Sequence, residues 1–372
     1  MSSVQKVWAK RPGSGSQLFA FERNGRVGFI NPAGKVVIKA TIDSKIERVG
    51  DFSDGRARID KGYIDETGML VIEGNYSSLD DFSDGLAYVM TTGGESGLFL
   101  DSSGNVQATI PRFRASEFSE GLAAYQAEGK PGLRSFKPGN FQYRDYPGLR
   151  GFINRTGNIV IRPVFADVGP FVGGLARAAL DGNCHLVMPD GDRQGTPTTG
   201  YPSSCGGAPA DAELACAVGF INRTGSFTIE PRFESALDFQ EELAAVRVGG
   251  LWGFTGTDGT LVIPARFERA QSFREGLAAV KLNHQWGFID RTGRFSIRPQ
   301  FEEVEAFSDS LAIAYKGGRP FYIDRRGQTT INGPFREATP FVHGLAAVLL
   351  TDEHVAYINK SGVTVFDYFR TK

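Results

Sequence analysis

The chain has 372 residues, a net charge of −1, 41% apolar residues and 12% aromatics. The near-neutral balance excludes the basic stripe that general nucleic-acid binding requires, and the apolar content excludes a disordered chain. No apolar run approaches the roughly 18 residues of a membrane-spanning helix.

Residues 1–16 read as an N-terminal tail. Lys6 and Lys10 are not followed by an apolar stretch, so no signal peptide is expected. The expected location is cytoplasmic, or periplasmic or secreted if a leader has been processed off. From residue 17 to 366 one phrase recurs nine times: an aromatic, an aliphatic, then Asp or Asn, and three residues later a Gly. The copies begin at Phe29, Tyr63, Phe99, Phe152, Phe220, Phe254, Phe288, Tyr322 and Tyr357, and five of the eight gaps are 34 or 35 residues. A fixed period of this size signals one supersecondary unit stacked many times over.

The first copy follows Leu18-Phe19-Ala20-Phe21 and lacks a preceding Phe connection. The cleanest copy runs from Phe273 to Phe307 and reads as three antiparallel strands. They are Gly276–Val280, Trp286–Asp290 and Phe295–Ile297, followed by an extended connection from Pro299. The Asp-x-x-Gly segment is a turn: the carboxylate bonds its own backbone and the Gly takes positive φ. The Gly is present in all nine copies, from Gly34 to Gly362, and the Asp or Asn fails only at Gly256.

Two further columns run through the copies. One is Phe52, Phe82, Phe118, Phe171, Phe239, Phe273, Phe307 and Phe341. The other is Ile42, Tyr76, Phe113, Phe165, Phe233, Phe267, Phe301 and Phe335. They read as core rungs of a stack rather than as binding ladders, because buried aromatics dominate core energetics. Leu277-Ala278-Ala279-Val280 is apolar on both faces, so each sheet must be covered on both sides. The only abundant cover is the next sheet, and the Gly before each aromatic (Gly28, Gly151, Gly219, Gly253, Gly287) is expected to leave room for a neighbour's ring. The predicted fold is all-β: about nine three- or four-stranded antiparallel units stacked face to face. No strand is left over to close a seam, which favours an open superhelix over a propeller-like ring. Residues 367–372 read as a C-terminal tail.

The strings Trp286-Gly287-Phe288-Ile289-Asp290-Arg291-Thr292-Gly293 and Phe273-Arg274-Glu275-Gly276-Leu277-Ala278-Ala279-Val280, with Leu251-Trp252-Gly253-Phe254, resemble the WG-repeat (KWG) family of bacterial proteins. The resemblance covers about Leu18 to Phe366. The eponymous Trp stands only at Trp252 and Trp286; Val27, Arg150, Val218 and Val355 replace it elsewhere. The resemblance implies a β-repeat scaffold that binds other molecules, and it supplies no catalytic residues.

The rhythm breaks twice, each time in the hairpin before the Gly-aromatic strand. The first insertion, 126–150, carries Lys130, Arg134, Lys137, Arg144 and Arg150 among Phe136, Phe141, Tyr143 and Tyr146. Aromatics mixed with Arg favour interface hot spots; the alternative is a loop that packs its own rings back on the array. The second, 181–216, is rich in Gly, Pro, Ser and Thr. It carries Asp181, Asp190, Asp192, Asp211 and Glu213 with Tyr201. It reads as an insertion, with a decayed module as the alternative. Insertions at one position of a repeat emerge on one face, so the two are expected to be neighbours, and their opposite charges allow them to pair.

Cys184, Cys205 and Cys216 all lie in the second insertion. A disulfide from Cys184 to Cys205 or Cys216, free thiols, and a zinc site with His185 are the three readings; no C-x-x-C spacing supports zinc. There is no P-loop, G-x-S-x-G or H-E-x-x-H motif, and His185, His284, His343 and His354 are scattered. The expectation is therefore a protein that is not an enzyme and needs no cofactor. It would be a binding scaffold for a protein partner, one version of which is an inhibitor or immunity-type protein. The alternative is a glycan or small-ligand module. The expected contact residues are Lys130, Arg134, Phe136, Phe141, Tyr143, Arg144, Tyr146, Arg150, Asp190, Asp192 and Tyr201.

Overall fold

The computed structural model describes residues 17–370 apart from 94–95, 112–113, 128–130, 138–139, 146–147 and 188–212. It divides into two compact units. One comprises 1–93, 99–106 and 268–372, the other 94–98 and 107–267. The described residues form short antiparallel strands and a single three-residue 3-10 turn, Ile46–Arg48.

In the first unit the module read most clearly from sequence is a four-stranded sheet. Its strands are Arg269–Ala270, Leu277–Leu282, Gln285–Asp290 and Phe295–Phe301, paired in that order. The connection expected to be merely extended thus carries a two-residue strand, Arg269↔Lys281 and Ala270↔Val280. The Asp-x-x-Gly turn joins the last two strands. Gly293 N–H donates to the Asp290 carbonyl at 2.9 Å, Asp290 N–H donates to the Arg294 carbonyl at 2.9 Å, and Gly293 sits at φ 80°. The Asp290 carboxylate accepts from the N–H groups of Thr292 (2.9 Å) and Arg294 (3.0 Å). In the copy that lacks the acid, Asp258 takes over two residues later, accepting from the Thr260 N–H at 2.9 Å.

The Gly before each aromatic has a different cause from the one expected. A Cβ on Gly287 would lie 2.6 Å from the Ile297 carbonyl oxygen, on the outer strand of its own module. The pairing slips at this point, between Trp286↔Phe301 and Phe288↔Ile297. The outer strand bulges over the Gly, and the nearest atoms to that Cβ are backbone atoms of Ile297, Arg298 and Pro299. The slip sets the Trp position opposite the second aromatic column: Trp286↔Phe301, Trp252↔Phe267, Val218↔Phe233 and Arg150↔Phe165.

Modules pack through rings. The phrase aromatic of one module meets the column Phe of the next at nearly constant separation. Phe29–Phe52 are 5.0 Å apart, Tyr63–Phe82 4.9 Å, Phe288–Phe307 4.8 Å and Tyr322–Phe341 4.8 Å in the first unit. The second unit repeats this with Phe152–Phe171 at 4.7 Å and Phe220–Phe239 at 4.6 Å. All are edge-on or tilted, as ring quadrupoles favour. The column residues from Phe52 to Phe341 are buried, as expected of core rungs; in the second column Phe165, Phe233, Phe267, Phe301, Phe335 and Ile42 are buried, while Tyr76 is only partly so. The turn Gly also serves the contact: a Cβ on Gly68 would lie 2.6 Å from Ile38 of the preceding module, and one on Gly327 2.7 Å from Ile297.

Within the first unit the first sheet, Phe19–Arg23, Arg26–Ile30 and Val36–Ile42, packs on the last one. Phe21 and Phe366 lie 4.8 Å apart, and buried Tyr357 donates its hydroxyl to the Ala20 carbonyl at 2.7 Å. The same type of bond joins successive modules elsewhere, from Tyr63 to Asp80 at 2.6 Å and from Tyr322 to Thr339 at 2.8 Å. The last strand runs Thr364–Phe369, beyond the boundary expected at 366. Residues 1–16 lie outside the described ones.

The second unit contains a four-stranded module ending at Phe267 and one seven-stranded sheet. Its strands run in the order Arg114–Ser119, Leu122–Gln126, Arg150–Asn154, Ile159–Val168, Ala176–Val187, Glu213–Ile221, Phe227–Phe233. Two modules merge there because Ile159–Val168 serves both as the outer strand of one and the inner strand of the next.

Candidate functional site

Both insertions leave the second unit from one row of paired residues. Gln126 pairs with Arg150, Arg150 with Phe165, and Phe165 with Leu180. The first insertion opens after Gln126 and returns at Arg150; the second opens after Leu180. Neighbouring strands in a sheet lie about 4.8 Å apart, so Arg150 and Leu180, with the strand of Phe165 between them, lie about 10 Å apart, near neighbours as the common position in the repeat implied.

The first insertion is a hairpin rather than an irregular loop. Pro131–Lys137 pairs with Asn140–Asp145, register Pro131↔Asp145 to Lys137↔Asn140, with a slip after Ser135. Arg134, Phe141, Tyr143 and Arg144 take register positions on it, Phe136 falls at the slip between Ser135 and Lys137, and Lys130 and Tyr146 lie outside the described residues. The second insertion begins as an extension of its parent hairpin. Ala176–Val187 and Glu213–Ile221 pair as far as Val187↔Glu213. Its two flanks are therefore the arms of one hairpin. Asp190, Asp192 and Tyr201 lie outside the described residues.

Arg150 is the expected contact residue whose side chain is described, and it is half-exposed and paired within the sheet. Its guanidinium donates to Asp167 at 2.5 Å. Asp167 also accepts from Arg177 at 2.6 Å, and Arg177 reaches Asp238 of the following module at 3.3 Å. Arg177 occupies a strand position filled by Ala245, Ala279 and Ala347 elsewhere. Burial works against its charge, but Asp167 and Asp238 more than offset this and hold its pKa above the ordinary arginine value. A similar clip recurs in the first unit, where Arg58 donates to Asp81 at 2.8 Å. Both clips sit beside a Gly whose Cβ would collide with the carboxylate, Gly169 with Asp238 and Gly50 with Asp81.

A second feature of this rim was not found from the sequence. In three modules whose hairpin tip is two residues long, the Glu after the column Phe ties down the tip. The Gly250 N–H donates to Glu234 at 3.0 Å, His284 N–H to Glu268 at 3.1 Å, and Gly317 N–H to Glu302 at 2.8 Å. The inserted modules carry Arg114 after Phe113 and Ala166 after Phe165 instead. Two modules without an insertion also lack the acid, with Ser77 after Tyr76 and Arg336 after Phe335.

Among the described residues no group of three His, Cys, Asp or Glu is placed to hold a metal ion, and no helix is long and apolar enough to cross a membrane. His284 is exposed beside Glu268, and His354 pairs with Asp367 at 2.8 Å while stacking on Phe369.

The family profile described as WG containing repeat matches residues 28–61, 62–94, 151–184, 219–252, 252–283 and 286–319, together more than half of the chain. The chain belongs to the WG-repeat family. No curated protein matches it. Among solved structures it is similar to BamB from Moraxella catarrhalis, at 9% identity and TM-score 0.36, covering 97% of this chain and 90% of that one. It is also similar to a eukaryotic initiation factor, at 9% identity and TM-score 0.44, covering 95% and 96%. A third similarity is to apo AztD from Citrobacter koseri, at 11% identity and TM-score 0.42, covering 95% and 94%.

Proposed function

We propose that this protein is a non-enzymatic scaffold that recognises a protein partner through the rim where residues 126–150 and 181–216 emerge. One form of this role is an inhibitor or immunity-type protein that covers the active site of its target. The observation that carries the reading is the single row Gln126–Arg150–Phe165–Leu180 from which both insertions spring. Insertions gathered on one face of a repeat array are its usual binding surface. The basic, aromatic-rich composition of the first one suits an interface centre, where Arg and Tyr predominate.

The test replaces residues 127–149 with a two-residue Asn-Gly turn, which suits a short hairpin. The variant is expected to keep the thermal transition of the full chain and to lose partner capture. Capture that survives an intact fold places the site elsewhere. Retention on polysaccharide beads that the same replacement abolishes, with no protein captured, gives the face to a glycan instead.

A further inference from the structure

The second insertion holds all three cysteines, and two of them fall in described strands. Cys184 and Cys216 are direct partners across the antiparallel hairpin, in a run that continues through His185↔Ala215, Leu186↔Leu214 and Val187↔Glu213. Directly opposed residues in an antiparallel ladder have Cα atoms about 4.5–5.5 Å apart. That range lies inside the roughly 4.4–6.8 Å that a disulfide spans. Opposed residues also share one face of the ladder, with Cβ atoms about 4.5–5.5 Å apart. Cys205 lies outside the described residues.

We propose that Cys184 and Cys216 are a redox pair whose disulfide clamps the root of the second insertion, leaving Cys205 as a free thiol. The bond closes residues 185–215 into a loop at the point where the hairpin leaves the sheet. Formation proceeds by exchange with a low-molecular-weight disulfide. The Cys184 thiolate attacks one sulfur of that reagent, forming a mixed disulfide and releasing one thiol. The Cys216 thiolate then attacks the Cys184 sulfur, and the second thiol leaves. The two cysteines lose two electrons and two protons, and the reagent disulfide gains them. Such a bond persists in an oxidising compartment and is reduced in the cytosol, so its state reports where the chain resides. The inference stands on strand register and does not depend on the partner-binding role.

The full-length protein is incubated with oxidised glutathione, quenched with an alkylating reagent, and examined by intact mass and by peptide mapping without reductant. The expected result is one linkage joining the peptides of Cys184 and Cys216, alkylation at Cys205 alone, and the same linkage in Cys205→Ser. In Cys216→Ser no internal linkage is expected to dominate. A dominant bond from Cys205 to either partner overturns the proposal. So does alkylation or glutathione capping of Cys184 and Cys216 as separate thiols.

Discussion

At the residue scale, Phe288 shows what one ring contributes. It is fully buried and meets Phe307 of the next module at 4.8 Å. Truncation to Ala is expected to cost about 3–5 kcal/mol, measured by denaturant unfolding. Gly287 and Gly344 make a sharper comparison. A Cβ on Gly287 would lie 2.6 Å from a backbone carbonyl, whereas Gly344, at φ 85°, has open space around it. Gly287→Ala is expected to unfold the protein at much lower denaturant than Gly344→Ala, which carries only the positive-φ strain of about 1 kcal/mol. Equal costs would mean that the bulge tolerates a side chain.

The turn acids give a pH dependence. The Thr292 hydroxyl, followed by the backbone N–H groups of Arg294 and Thr292, holds Asp290 below the usual carboxylate pKa, and Thr67 does the same for Asp65. A folded pKa below the unfolded value of about 3.9 means that the stabilisation is present above that value. It is lost as pH falls through the folded pKa. Both groups are exposed and solvent screens them, so each contribution is small. Thr292→Val is expected to shrink the drop in melting temperature between pH 6 and pH 3. An unchanged or larger drop contradicts this origin.

At the element scale, the turn before each Leu-Ala strand is a clamp between modules. Asp54 accepts from the Gly85 N–H at 2.8 Å, Glu120 from Gly173 at 2.6 Å and Gly174 at 3.0 Å, Glu275 from Ser310 at 3.1 Å, and Asp309 from Gly344 at 2.6 Å. Each acid sits at positive φ, from 50° at Asp54 to 53° at Glu120, which a non-glycine residue adopts only when its surroundings hold it there. Arg325 braces the Glu275 carbonyl at 2.6 Å. Glu275→Ala is expected to cost roughly 1.5–3 kcal/mol, the range for hydrogen bonds to a charged group. Glu275→Gln, which keeps an acceptor without the charge, is expected to lose less than Glu275→Ala. Equal losses in the two variants would contradict a role for the bond to Ser310.

The three strands of Phe273–Phe307 and the Asp-x-x-Gly turn were legible because alternation, turn chemistry and a fixed period all mark them. The two-residue strand Arg269–Ala270 was not, since so short a segment has no periodicity to read. The role of Gly287 was misread because a small residue looks alike whether it admits a neighbour's ring or its own sheet's backbone. The nearness of the insertion roots followed from their common position in the repeat. The pairing of Arg150 with Asp167 did not, because no linear spacing sets Asp167 between Arg150 and Arg177.

At the scale of the whole molecule, stability in such an array is a sum of module and nearest-neighbour terms. A terminal module covered on one side only is therefore expected to fray. Here the first sheet and the last are each other's neighbour: Phe21 packs on Phe366, and Tyr357 bonds Ala20. Tyr357→Phe removes that hydroxyl from a buried carbonyl and is expected to destabilise by about 1–3 kcal/mol. Deleting residues 335–372 strips cover from Phe19 and Phe21 and is expected to lower the melting temperature of the remaining chain well beyond the effect of any single substitution. Native-state hydrogen exchange is the most direct measurement of the mutual-burial principle. Amides of Phe19–Ile30 and His354–Asn359 are expected to be protected within about tenfold of those in Leu277–Asp290, a difference of roughly 1.4 kcal/mol. Exchange at both ends that is faster by several orders of magnitude would show modules that do not cover one another there, and would contradict the account.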